Sequence, residues 1–312
     1  MPTQLFPLIV VLGPTGSGKS DLALSLAEHL EGEIVNCDSV QVYRGLEIGS
    51  VKVPAERRRG IRHHLLDLIE ADAELSAGEY SRLARQALDE IRNRKRIPIV
   101  AGGTGFYLRA LLNGLSPAPG RNEALRGRLA VRERRRPGAL HRFLRIKDPS
   151  SAARIHRNDR QKLIRAIELT AIAGRPASET QSQPREALCG FVVLKLGLKP
   201  ERTELYRKLD ERSEAIFRSG LLEETRGLLD AGFSSECKAL QSLGYKQAVR
   251  VLGGELTREA AIRELQTKTR QYAKRQMTWF RSEAEVEWLR GFGNEEHIQS
   301  QALRLSSDFL SR

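Results

Sequence analysis

The sequence lacks the features that mark disulfide-rich, zinc-binding and membrane-spanning proteins. Its 312 residues include only three cysteines, Cys37, Cys189 and Cys237, an odd number spread widely along the chain. That pattern disfavours a disulfide framework or a zinc site and suits a reducing compartment. No apolar run reaches the roughly 18 residues that a membrane-spanning helix needs, and the apolar residues 5–12 end in glycine, unlike a signal peptide. We therefore predict a cytoplasmic protein without membrane association.

The composition is that of a globular chain with an excess of positive charge. Aromatic residues make up only 5% of the chain, hydrophobic residues make up 40%, and no internal repeat is present. A chain of this length and hydrophobicity can bury a core unaided. Lys and Arg number 52 against 39 Asp and Glu, which gives a net charge of +13. This excess suggests a polyanionic partner such as nucleic acid. The alternative is a surface that is merely basic.

Short apolar runs alternate with longer helical patterns in the first third of the chain. The apolar runs at residues 8–12, 33–37 and 97–101 predict buried strands, and residues 191–196 predict another. Residues 21–30 and 77–95 have helical spacing of their apolar side chains. The alternation of strand and helix predicts an α/β fold with a parallel sheet flanked by helices.

The middle of the chain has a different pattern. Residues 118–184 show helical patterns rich in arginine and no strand, and residues 121–147 hold ten basic and two acidic residues, a net of +8. We predict an inserted all-helical, basic subdomain at 118–184, between core segments 1–117 and 185–312. After residue 199 the chain is predicted to be helical to about residue 281, and the last twenty residues are predicted to be weakly ordered.

The clearest motif is a phosphate-binding loop. Residues 13–20 match G-x-x-x-x-G-K-[ST], follow a predicted strand and open a predicted helix. The loop amides and the helix N-terminus attract phosphate, Lys19 adds a positive charge, and Ser20 can ligate Mg²⁺. The candidate phosphate-binding residues are Gly13, Pro14, Thr15, Gly16, Ser17, Gly18, Lys19 and Ser20. A glycine-rich turn without a ligand is the alternative, which the strand–turn–helix context disfavours.

The loop does not say which phosphate compound is bound. A nucleoside triphosphatase commonly holds Mg²⁺ with an Asp at the end of a second apolar strand. Here the strand at 97–101 is followed by Gly102, Gly103 and Thr104, with no acid. This disfavours a conventional ATPase but leaves a small-molecule kinase open.

Asp38 is the candidate carboxylate, because it follows the second predicted strand. Ligands of open parallel sheets bind at the carboxyl ends of the strands, so Asp38 and the phosphate loop should share one cleft. Asp38 can accept a proton from a nucleophile or help to hold Mg²⁺. Its alternative role is a helix N-cap. For the adjacent His63 and His64 we favour a structural role over a metal site, because no further ligands surround them.

Five segments resemble, in order, signatures of the tRNA dimethylallyltransferase (tRNA isopentenyltransferase) family. Together they extend the likeness over residues 8–289. The segments are the phosphate loop with residues 38–45 (Asp-Ser-Val-Gln-Val-Tyr-Arg-Gly), residues 102–107 (Gly-Gly-Thr-Gly-Phe-Tyr), residues 154–159 with 165–168, residues 243–246 (Leu-Gly-Tyr-Lys), and residues 269–276 with 279–281.

The resemblance implies transfer of a dimethylallyl group from dimethylallyl diphosphate to the exocyclic N6 of the adenine 3′ of the anticodon in tRNA. Diphosphate leaves, Mg²⁺ is the cofactor, and the anticodon stem-loop is the partner. The implied catalytic residues are Asp38, Thr104, Lys19 and Ser20, and Arg212 is implied to bind diphosphate. The implied tRNA contacts are Asp38, Ser39, Val40, Gln41, Thr104, Gln161, Lys162, Leu163, Ile164 and Arg165, with Arg126 added for its place in the basic insert. Without the resemblance, Arg212 is interpreted as a solvated charge on a helix, and residues 161–165 as a basic helix face.

The target adenine must leave the stacked anticodon loop to react. The insert and residues 268–281 are candidates for holding the RNA in that state. Residues 268–281 carry five basic residues, no acid and three aromatic residues, a mixture that suits phosphate contacts and base stacking. For Trp279 we favour a place in the core.

Two other functions remain possible from the sequence. A small-molecule kinase explains the loop but not the basic insert. A non-catalytic RNA-binding protein explains the insert, but the intact Lys19 and Ser20 argue against it. We also predict a monomer.

Overall fold

The computed structural model describes residues 5–311. Residues 1–4 and 312, which the predicted core segments include, lie outside the described residues. The chain folds as two compact units. Asn113–Ala187 forms the second unit, and the described residues on either side of it form the first.

The first unit contains a parallel six-stranded sheet in the order β3-β2-β4-β1-β5-β6. Its strands are β1 (Phe6–Leu12), β2 (Gly32–Asn36), β3 (His63–His64), β4 (Ile97–Gly102), β5 (Phe191–Leu198) and β6 (Val286–Leu289). The predicted α/β class is confirmed, and all four predicted strands are present. The short strands β3 and β6 were not predicted.

The two helices predicted at residues 21–30 and 77–95 are present with bounds that differ by at most two residues. The helices of the described chain are α1 (Lys19–His29), α2 (Ala77–Asn93), α3 (Gly105–Asn113), α4 (Glu123–Arg135), α5 (Ala139–Lys147), α6 (Pro149–Arg154), α7 (Arg160–Ala173), α8 (Ala177–Gln181), α9 (Arg202–Arg218), α10 (Leu221–Asp230), α11 (Tyr245–Leu252), α12 (Arg258–Phe280) and α13 (Glu296–Leu310). No helix within residues 5–311 is long and apolar enough to cross a membrane.

Helices cover both faces of the sheet, which explains why β1 is apolar throughout. Ile9 and Val11 of β1 pack in one cluster with residues of α1 and α13, while α2 packs against β2 and β4. Residues 8–12 are all buried, as expected for a strand covered on both faces. Leu12 lies opposite Gly102 of β4 and Gly197 of β5, so these three strands end at one edge.

The prediction of weak order in the last twenty residues is wrong. β6 pairs with β5, and α13 follows it. Ile298, Ala302 and Ser306 of α13 recur every four residues and are buried, and the first two belong to the core cluster that includes α1. Packing against α1 therefore orders a segment whose own hydrophobic pattern is weak.

The second unit is built from α4 to α8 around Leu140, Leu144, Leu163 and Ala166. It begins five residues earlier and ends three residues later than the predicted insert at 118–184. The reason is that its two connecting segments contact each other, since Ser116 Oγ donates a hydrogen bond to Gln183 O at 3.3 Å. In the first unit, Leu188 N donates to Leu112 O at 2.8 Å where the chain leaves and returns.

Candidate active site

The phosphate loop between β1 and α1 has the backbone that its glycines permit. Gly16 and Gly18 have φ angles of 77° and 83°, which are costly for residues with a Cβ. At Gly18 a Cβ would also lie 2.8 Å from Gly293 N. The loop closes around Pro14 O, which accepts hydrogen bonds from Ser17 Oγ and Lys19 Nζ, both at 2.8 Å.

Lys19 is the first residue of α1, where the helix dipole and the loop amides already favour an anion. Burial lowers the pKa of its ammonium group to about 8, with Arg212 adding to the effect and Asp38 opposing it. The free site therefore holds a lysine whose positive charge is poorly solvated. An incoming anion would stabilise that charge.

Asp38 and Thr104 follow the neighbouring strands β2 and β4, in which Asn36 pairs with Ala101. Asp38 Oδ1 accepts a hydrogen bond from Val40 N at 2.8 Å, which forms a tight turn instead of a helix N-cap. The Thr104 hydroxyl accepts from Ser39 N at 3.0 Å. Within residues 5–311, Asp38 Oδ2 receives no side-chain or backbone hydrogen bond, so it is available to a ligand.

Helix α9 brings Arg212 to the same place. Leu209 lies so close to the loop that a Cβ on Gly16 would be 2.6 Å from Leu209 Cδ2. Arg212 follows three residues later on the helix, on nearly the same face. Burial lowers the pKa of Arg212, and the Asp38 carboxylate opposes the shift. Arg212 and Asp38 line the same cavity.

These elements line one cavity of about 1060 Å³ in the first unit. Lys19, Arg212, the Asp38 carboxylate and part of the phosphate loop all line it. The predicted site residues that line it are Thr15, Gly16, Gly18, Lys19, Ser20, Asp38, Ser39, Val40, Gln41 and Arg212. Such a cavity can bind an anionic group at the loop and place a proton acceptor beside it.

Comparison with known proteins identifies the family. A family model described as IPP transferase matches residues 41–283. The chain belongs to the IPP transferase family. It is 52% identical over 306 residues to a tRNA dimethylallyltransferase of Solibacter usitatus. The alignment covers 98% of this chain and 100% of the relative.

Solved structures of IPP transferases have the same fold. A tRNA isopentenylpyrophosphate transferase of Bacillus halodurans is 33% identical with a TM-score of 0.71, covering 98% of this chain and 95% of that one. A eukaryotic dimethylallyltransferase described as acting on tRNA is 30% identical with a TM-score of 0.83, covering 98% of this chain and 80% of that one.

Four predicted residues of the IPP transferase site are near the cavity without lining it. Gly13, Pro14 and Ser17 form the turn itself, and Ser17 is completely buried. Thr104 contacts the cavity residue Ser39 through its hydroxyl. These residues support the loop and the residues that line the cavity.

The remaining predicted residues lie in the second unit and have different surroundings. Gln161 and Lys162 are exposed at the start of α7, whereas Leu163 is buried in the unit's core and Ile164 is half-buried. Arg126 and Arg165 donate to the buried carboxylate of Glu168, at 3.2 and 2.6 Å. In this structure Arg126 and Arg165 therefore also stabilise the unit.

Several residues that line the cavity were not predicted from the sequence. Lys208, Tyr272, Arg275 and residues 241–244 also line the cavity. Burial raises the pKa of Tyr272, and the nearby Asp38 carboxylate adds to the shift. Lys208 is four residues before Arg212, and this spacing could have revealed it. Tyr272 and Arg275 belong to the basic, aromatic segment 268–281, whose composition points only to RNA binding.

His63 and His64 make hydrogen bonds to neighbouring protein groups. His64 Nε2 lies 2.6 Å from Glu33 Oε2, and His63 Nδ1 lies 2.9 Å from Ile61 O. Among residues 5–311 no group of three or more His, Cys, Asp and Glu side chains is arranged to hold a metal ion.

Proposed function

We propose that this IPP transferase moves a dimethylallyl group from dimethylallyl diphosphate to the exocyclic N6 of the adenine 3′ of the anticodon in tRNA. The observation that carries the proposal is the single cavity in which the phosphate loop, Arg212 and Asp38 meet. The loop with Lys19 and Arg212 suits a diphosphate, and the Asp38 carboxylate suits an amine nucleophile. Its relatives include enzymes named tRNA dimethylallyltransferase.

In the reaction, a bond forms between adenine N6 and the first carbon of the dimethylallyl group while the bond from that carbon to the diphosphate oxygen breaks. N6 loses one proton, which Asp38 accepts through its available oxygen. Because an exocyclic adenine nitrogen is a weak nucleophile, correct placement of the two substrates supplies much of the rate.

The leaving diphosphate gains negative charge as the carbon–oxygen bond breaks. Lys19, Arg212 and the loop amides surround the space at the start of α1 and stabilise that charge. Thr104 orients the residues after β2, because its hydroxyl bonds to the backbone of Ser39. This bond holds the turn that carries Asp38.

The residues present fit Mg²⁺ bound together with a diphosphate. The Ser20 hydroxyl is exposed and lines the cavity, as does the Asp38 carboxylate. Mg²⁺ prefers oxygen ligands and commonly combines one or two protein ligands with substrate phosphates. Ser20 would hold the ion with the diphosphate. When bound, Mg²⁺ neutralises part of the charge on the leaving group.

The second unit is proposed to bind the anticodon stem-loop. Exposed arginines of α4 and the exposed start of α7 provide positive charge for phosphate contacts. These contacts help to hold the RNA with its adenine flipped out of the loop stack, at a cost of a few kcal/mol. The cytoplasmic location and the monomeric state stay predictions.

The test is transfer of a labelled dimethylallyl group from its diphosphate to unmodified tRNA in the presence of Mg²⁺. We expect label on the tRNA, and none on a tRNA whose target adenine is replaced by purine, which lacks the N6 amine. The absence of label with folded protein would refute the proposal. Saturable ATP binding would then favour the kinase, which none of the relatives described above supports. RNA binding without diphosphate binding would favour a non-catalytic protein.

A further inference from the structure

The side chain of Gln276, on α12, joins two loops of the active site. It is buried, with only 6% of the residue exposed. Its Oε1 accepts a hydrogen bond from Thr15 N in the phosphate loop at 2.8 Å, and its Nε2 donates to Gly103 O after β4 at 2.8 Å. One amide therefore links segments that are 261 and 173 residues away along the chain.

This link lies beside the reacting groups. A Cβ on Gly103 would be 2.3 Å from Gln276 Nε2 and 3.9 Å from Lys19 Nζ, so a larger residue at position 103 would displace the Gln276 amide. Gly103 precedes Thr104, whose hydroxyl bonds to Ser39 next to Asp38. A chain of direct contacts thus connects the phosphate loop to the proton acceptor through Gln276.

One backbone amide of the phosphate loop, Thr15 N, donates to a protein side chain. Amides in such loops point towards phosphate oxygens, but here a protein side chain satisfies this donor. Since a buried amide that loses its partner costs free energy, Gln276 fixes the orientation of the Thr15 peptide before any ligand arrives. The loop is therefore organised in advance for the diphosphate.

We propose that Gln276 is a positioning residue for the transfer reaction. It holds the phosphate loop and the Gly103–Thr104 segment in one arrangement, so that the bound diphosphate lies at the correct distance from the amine that faces Asp38. The inference rests on the proposed function. The buried Gln276 amide makes two hydrogen bonds, so it acts through the two loops and not through contact with RNA.

The test compares Gln276→Met, which removes both hydrogen bonds at similar size, with Gln266→Met as a control. Gln266 lies on the same helix and donates to Asp210 O at 3.4 Å and to Glu214 at 3.2 Å, both on α9, and not to the phosphate loop. We measure kcat, the KM for each substrate, binding of inorganic diphosphate, and thermal unfolding. For Gln276→Met we expect kcat to fall about 100-fold, the scale of a displaced group in an oriented reaction. We also expect weaker diphosphate binding and an unchanged KM for tRNA, while the control stays near wild type.

A second variant, Gln276→Glu, decides the question if the methionine variant does not fold. Its ionised carboxylate can accept from Thr15 N but cannot donate to Gly103 O, whereas the protonated carboxyl group can do both. We therefore expect the activity of Gln276→Glu relative to wild type to rise as the pH falls.

Three results would overturn the proposal. They are a kcat for Gln276→Met equal to that of the control, a raised KM for tRNA with unchanged kcat, which would indicate an RNA contact, or a pH profile for Gln276→Glu parallel to wild type. If wild-type protein shows no transfer, the proposed function fails. Diphosphate binding by the variants still tests the role of Gln276 in the loop.

Discussion

The affinity of the site for diphosphate should fall as Lys19 loses its proton. A group with a pKa of about 8 is protonated in about nine molecules of ten at pH 7 and in about one of ten at pH 9. Bound diphosphate stabilises the ammonium form, so only protonated protein binds well over this range. The dissociation constant for inorganic diphosphate should therefore rise about tenfold between pH 7 and pH 9.

The measurement is calorimetric titration with inorganic diphosphate across that range, without Mg²⁺. Diphosphate itself loses protons in this range. The dissociation constant of the wild type at each pH is therefore divided by that of Lys19→Arg, whose guanidinium stays charged. We expect the ratio to change about tenfold. A ratio that stays constant from pH 7 to pH 9 would refute the argument that burial lowers the pKa of Lys19.

The same titration tests whether Asp38 influences the pKa of Lys19. The Asp38 carboxylate raises the pKa of Lys19 and so opposes the effect of burial. In Asp38→Asn the loss of diphosphate affinity should therefore begin at a lower pH. A midpoint that does not move would show that the two side chains are not coupled.

Three further predictions concern the proton acceptor, the RNA and the sheet edge. Asp38→Asn should lower the single-turnover transfer rate by about 10²- to 10⁴-fold, because the amide cannot accept a proton, whereas Asp72→Asn, at an exposed carboxylate, should not. Neutralising exposed Arg132 and Arg136 to Gln should reduce the slope of log affinity for tRNA against log salt by about 1.4 to 1.8, and an unchanged slope would exclude them as phosphate contacts. Burial opposes ionisation of Glu33, but hydrogen bonds from Arg94 and His64 outweigh it and lower its pKa from 4.5 to about 2. Glu33→Gln should therefore lower the free energy of unfolding at pH 7 by roughly 1–3 kcal/mol, and urea unfolding should show the difference from wild type shrinking as the pH falls from 4.5 towards 2.

The elements that strong local patterns specify were predictable. The phosphate loop was found because its glycines, Lys19 and Ser20 stand at fixed spacing between an apolar strand and a helix. Its juxtaposition with Asp38 followed from the geometry of parallel sheets, since β2 and the loop end at one edge. The insert was predictable for a different reason, because a long basic segment without strand patterns interrupts the alternation of strands and helices.

The parts that were missed depend on tertiary contacts. β6 has four residues and includes Glu287, and only its pairing with β5 makes it a strand. α13 is ordered by packing on α1, and the local sequence of α13 does not indicate this contact. Gln276 carries no charge and has no local signal, because its two partners are more than 170 residues away. The proximity of α9 to the loop also arises only in the folded chain.

The hydrogen bond between Leu188 and Leu112 has a consequence for how this enzyme can diverge. For the first unit, the whole of Asn113–Ala187 is equivalent to a single loop, because the chain leaves and returns at positions joined by a hydrogen bond. The free-energy cost of closing a loop rises only slowly with its length, so this segment can lengthen, shorten or be exchanged with little effect on the core. All residues that line the cavity lie outside it. Changes can therefore accumulate in Asn113–Ala187 while the cavity is inherited unchanged.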